Sequence, residues 1–112
     1  MKAKTVLVPQ VAQTSTTYYT TPANTRAKVV FLQAAHTVGS GSTTVNIHIT
    51  NGSTITIFNG KNLGVGESAN VGLSDSSYIM LESGYEIVAD ANDDDCALII
   101  TVEETPFLVS TA

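Results

Sequence analysis

The sequence predicts an all-β protein, a single β-sandwich of jelly-roll type with about eight antiparallel strands. Three observations carry this prediction. Apolar and polar residues alternate with period two in "TVNIHIT" (44–50) and "STITIF" (53–58), as in strands with one buried face. Gly, Pro, Asn and Asp cluster at regular intervals, where turns belong. No stretch repeats its apolar residues every 3.6 positions between helix caps. At 112 residues the chain makes one domain with a single core.

In chain order, "TTYYT" (16–20) is a short Thr/Tyr-rich strand, and Thr21-Pro22-Ala23-Asn24 is the turn after it. "RAKVVFLQAA" (26–35) is apolar on both faces, as in a central strand, and "HTVGSGST" (36–43) is a Gly-containing loop. The two alternating strands that follow form a hairpin whose register can be tested. A two-residue Asn51-Gly52 turn sets isoleucines opposite threonines. A three-residue Thr50-Asn51-Gly52 loop sets Ile47 against Ile55 and Val45 against Ile57, with Gly52 at the position that needs a positive φ. The three-residue loop is therefore expected, with His48 on the polar face opposite Thr54. Asn59-Gly60 signals a further turn, and "NLGVGESAN" is loop with at most a short strand. "SYIML" (77–81) and "YEIVADA" (85–91) are strands joined through Glu82-Ser83-Gly84, and "CALIITVEE" (96–104) is the last, ended by Pro106. The chain divides into an N-terminal extended arm (1–15), the sandwich (16–106) and a C-terminal tail (107–112).

Composition narrows the function. Only 13% of residues are charged, about half the usual quarter, and 26 Ser and Thr fill the gap. Hydroxyl-rich surfaces suit extracellular modules and members of large assemblies, where few charges must be desolvated at contacts. The net charge of −5 argues against a nucleic-acid binder. All five basic residues precede Gly64, and all ten acidic ones lie from Glu67 onward. Either the strands interleave and mix these charges in space, or the molecule has two electrical poles. "MKAKTVLVPQVAQ" begins like a signal peptide, but its apolar run is only Val6–Val8, and no stretch approaches the roughly 18 apolar residues of a membrane span. The expectation is a protein made in the cytoplasm of its host and not exported by this segment. The single cysteine, Cys96, excludes an internal disulfide and is expected to be a buried, inert thiol.

No constellation in the chain reads as an active site. "ANDDDCALII" (91–100) places Asp93, Asp94 and Asp95 between two strands, where Asn and Asp favour turns. The alternating ligands, central glycine and final glutamate of a calcium loop are missing. His36 and His48 lack partners at metal-ligand spacing, and the serines lack a nucleophile elbow. "GSGS" and "GVG" are not followed by a helix that could receive phosphate. Tyr18, Tyr19, Tyr78 and Tyr85 could stack on a sugar only if they shared an exposed face. No cofactor, metal or enzymatic activity is expected.

The order "YYTTPANTRAKVVFLQAAHT", a loop, an alternating hairpin, "NLGVGESANV" and "MLESGYEIVADANDDDCALIITVEE" resembles the small β-sandwich structural proteins of tailed-bacteriophage virions. The matching elements are the turn Tyr19–Thr25, then Leu81, Gly84, Ile87 and Ala89, then Val102 to Glu104, and they span roughly residues 16 to 104. The resemblance implies a non-enzymatic virion protein. The first reading is a capsid decoration (cement) protein on the head shell, partnered by the major capsid protein and by copies of itself, as a trimer. The alternative is a glycan- or receptor-binding module of a tail or fibre. Neither nucleic acid nor membrane is an expected partner. The arm lies outside the shared pattern. Lys2, Lys4, Thr5, Val6, Leu7 and Val8 could add as an edge strand to a neighbour, and Phe107, Leu108 and Val109 could pack on it.

Overall fold

A computed structural model describes residues 1–36, 39 and 41–107 of the chain. Nine strands run in the order β1 Lys2–Val8, β2 Thr16–Thr20, β3 Thr25–His36, β4 Ser42–Thr50, β5 Thr54–Gly64, β6 Ser68–Asn70, β7 Ile79–Leu81, β8 Glu86–Ala91 and β9 Cys96–Pro106. One sheet has the order β1-β9-β3-β6, with β7 pairing β3 further along the same edge, and the other has the order β2-β8-β4-β5. With β6 and β7 counted as one interrupted edge strand, this is the eight-strand arrangement of a jelly roll. The extra strand relative to expectation is thus β1. Lys2 through Val8 pair without a break against Glu104 through Leu98.

Alternation dictates the core. Val29, Leu32 and Ala34 of β3, Val45 and Ile47 of β4, Ile87 and Ala89 of β8, and Leu98, Ile100 and Val102 of β9 meet between the sheets. The N-terminal segment belongs to this core. Val8 is buried, Val11 is fully buried, and the Val11 N–H donates to the Cys96 carbonyl at 2.8 Å.

Two sequence expectations need correction in the hairpin. The loop has three residues, but they are Asn51, Gly52 and Ser53. Ile49 therefore faces Ile55 and His48 faces Thr56, while Ile57 falls at an irregularity and does not meet Val45. Gly52 does adopt a positive φ, of 104°. Asn59-Gly60 is no turn, because β5 runs through it to Gly64. The Asn46 side chain accepts the Gly60 N–H at 2.6 Å, so a bulge takes up what would otherwise be a reversal.

Candidate functional site

The outer faces of the two sheets differ in chemistry. On the β2-β8-β4-β5 sheet, β4 turns Thr44, Asn46, His48 and Thr50 outward, beside Asp90 and Glu86 of β8. That face is finished for water. On the β1-β9-β3-β6 sheet the outward rows are read from the register. Thr5, Thr101 and Phe31 form one, Leu7, Ile99, Gln33 and Asn70 the next, and Ala97, Ala35 and Ser68 the third. None of these carries a charge. A bulge between Val29 and Phe31 adds to the apolar content, because Val30 and Phe31 both stay half-exposed between the buried Val29 and Leu32. Six of the eight large apolar side chains exposed among the described residues belong to this face or its rim: Met1, Leu7, Tyr78, Met80, Ile99 and Phe107. Leu7 is 71% exposed.

The end of this face where β3 begins is recessed. Met1, Arg26, Lys28, Met80, Glu103, Thr105 and Phe107 line a groove of about 250 Å³. Its cations are already engaged. Arg26 pairs with Glu82 at 2.9 Å and lies over the Phe107 ring at 5.5 Å, and Lys28 stands 4.5 Å from the Tyr78 ring and 3.8 Å from Glu103. A second, shallower notch lies between Leu7, Pro9, Ala97 and Ile99. The fold therefore brings the start of the chain and Phe107 onto one surface, two segments far apart in sequence. Of the expected contact residues, Leu7 and Thr5 face outward, whereas Val8 and partly Val6 pack inward and Lys4 lies over the Tyr19 ring. In this chain Thr5–Val8 are already paired on one side with β9, so an incoming strand would have to use the other side of β1. Leu108 and Val109 lie outside the described residues.

The other candidates have structural roles. Asp93 accepts from the Thr43 hydroxyl at 2.7 Å and from the Asp95 N–H at 3.0 Å, and these bonds hold its carboxyl below the usual range, the hydroxyl most. Asp94 accepts from Gln13. The triplet organises the β8–β9 turn, and among the described residues no group of three or more His, Cys, Asp or Glu could hold a metal ion. His36 is buried with neither ring nitrogen hydrogen-bonded, its Nε2 3.8 Å from an Asp95 oxygen. Cys96 is buried, and burial pushes its thiol up to about 11. Tyr19 is buried and donates to Glu104 at 2.6 Å; Tyr18 and Tyr85 pack against the core, which leaves Tyr78 as the exposed tyrosine.

Charge is distributed unevenly along the sandwich. At the end where β3 begins, Lys2, Lys4, Arg26 and Lys28 mix with Glu82, Glu86, Glu103 and Glu104, four of each sign. Toward the opposite end Glu67, Asp90, Asp93, Asp94 and Asp95 face a single cation, Lys61, and the tenth carboxylate, Asp75, lies in the connection between β6 and β7. Interleaving thus mixes the charges at one end and leaves an acidic pole at the other. Among the described residues no helix is long and apolar enough to cross a membrane.

No family model matches the chain, and no curated protein does. Among solved structures it is similar to one of Bacillus endospore appendages, described as forming a family of disulfide-linked pili. The similarity is at 10% identity over 96% of this chain and 88% of that one, with a TM-score of 0.53. A pentameric capsid protein from metagenomic phage sequences matches at 18% identity with a TM-score of 0.44, over 91% of this chain and 63% of that one. What the first of these likenesses establishes is the fold, an all-β sandwich of two sheets.

Proposed function

We propose that this is a non-enzymatic structural and adhesive subunit, a β-sandwich fixed to a larger surface assembly through the outer face of its β1-β9-β3-β6 sheet. One observation carries the reading. The middle of β3 turns Val30 and Phe31 to the outer face, beside Leu7 and Ile99 and between Lys28 and Gln33, and its own chain leaves that face uncovered. A central strand with apolar side chains on both sides of its middle normally has both sides covered. Contiguous exposed apolar surface of this kind marks a contact site.

Within that reading we favour a module of a tail, fibre or appendage. The fold shared with an appendage subunit supports this, as does the recessed groove, whose Met1, Met80 and Phe107 suit an apolar side chain of a protein receptor. Disulfide linking, as in those pili, has no counterpart here, because Cys96 is buried. Capsid decoration is the second reading, supported by the low-charge, hydroxyl-rich surface and by the unpaired side of β1.

Gold-labelled antibodies against the protein, applied to particles and filaments from cells that make it, test both. Label along tails, fibres or appendages supports the first reading, and label over a head shell the second. Label confined to unassembled protein rejects the assembly function altogether.

A further inference from the structure

We propose that the occupant of the uncovered sheet face is a second copy of this chain, packed face to face about a two-fold axis that crosses the strands near Thr101. The inference rests on the reading of that face as an assembly surface and names its partner.

Charge singles out this face for self-association. Two molecules of net charge −5 repel wherever carboxylates meet. Asp90 and Glu86 lie on the other sheet, Asp93 to Asp95 lie at one end, and Glu103, the carboxylate within these rows, stands 3.8 Å from Lys28, so the rows around Leu7, Phe31 and Ile99 meet a copy of themselves with no unpaired carboxylate from the sheet between. Charge also fixes the orientation. An axis along the strands would set the two acidic ends side by side. An axis across them sends those ends to opposite extremities and brings each toward the partner end that holds Arg26 and Lys28. A two-fold contact uses the same patch twice, which a flat face of uniform rows satisfies, whereas a three-fold ring needs two different patches that fit each other.

The size is adequate for a reversible dimer. Four strands about 4.8 Å apart and the length of β9 from Ala97 to Thr105, eight steps of about 3.3 Å, give about 500 Å² in plan. Side-chain relief raises this toward the ~600–800 Å² per partner of small to standard interfaces.

Sedimentation equilibrium of the full chain from micromolar to millimolar concentration is the test. The expected result is a reversible monomer–dimer equilibrium that Ile99→Asp weakens by about 100-fold or more, since it buries an unpaired charge in the interface. His48→Asp, on the opposite sheet, should leave it unchanged, and circular dichroism should confirm that both variants fold. Thr101→Cys, lying on the axis, should form an intermolecular disulfide under mild oxidation, whereas Thr56→Cys should not. A monomer throughout the range, or an oligomer indifferent to Ile99→Asp, overturns the inference. Gold labelling of assemblies is read independently of either result, so the partner and the assembly function can fail separately.

Discussion

At the residue scale, the polar groups drawn into the sandwich fix what its stability depends on. The Tyr19 hydroxyl donates to Glu104 at 2.6 Å across the two sheets, and burial together with that carboxylate pushes the phenol well above its ordinary acidity range. Tyr19→Phe leaves a half-buried carboxylate without this donor, and urea unfolding should register a loss of about 1–3 kcal/mol. Cys96 has a consequence at alkaline pH. Its thiol ionises near 9.0 in the unfolded chain and near 11 in the fold. Below pH 9.0 the thiol is protonated in both states and its contribution is complete. As pH rises toward 11 the unfolded state gains a thiolate that the folded state refuses, so stability falls, by up to about 2 kcal/mol. Cys96→Ala should flatten that part of the pH profile, and in the native protein the thiol should resist a disulfide reagent until denaturant is added. The burial of Cys96 could be read from the sequence, since it opens an apolar strand. That of His36 was masked by its place at a strand end beside a Gly-containing loop, although it continues the inward alternation of Leu32 and Ala34.

Among the elements, β1 is where sequence and structure diverge most. "KAKTVLV" has two lysines and ends at a proline, which reads as a solvated arm, and only its pairing with β9 reveals the first strand of a jelly roll. The lysine signal is real but local: Lys4 keeps its ammonium near the Tyr19 ring while the stem lies along the sheet. Removing residues 1–8 should therefore do more than free an arm. It exposes the β9 edge and strips Val6 and Val8 from the core, for a loss of about 3 kcal/mol or more and a Tm lower by roughly 10 °C or more in calorimetry. An unchanged Tm would mean that β1 is only loosely held. β4 was legible by its strict alternation, and β3, β8 and β9 by their apolar runs set between turn signals. Asn59-Gly60 misleads for a physical reason. The dipeptide favours a reversal, and the Asn46 amide, 14 positions away, supplies an acceptor that keeps β5 extended.

At the scale of the whole molecule, the two outer sheet faces and the two charge ends act together. The apolar middle of β3, Val29 to Leu32, could be read in the sequence, but which of its faces the chain itself would cover depends on the sheet order, and no local pattern encodes that. The same holds for charge: the split of cations and carboxylates along the chain is plain, whereas their cancellation at one end follows from β1, β3 and β9 lying side by side. These features predict how association responds to salt. If contact is made by the uncharged rows, ionic pairs contribute little, and the residual interaction between two net-negative bodies is repulsive. Raising ionic strength from about 0.01 M to about 0.1 M shortens the Debye length from roughly 30 Å to roughly 10 Å and screens that repulsion. Self-association measured by light scattering should then strengthen modestly, by a few-fold. Weakening over the same range would mean that the copies are held by opposite charges, the acidic end of one against Arg26 and Lys28 of the other, with the sheet face in a secondary role.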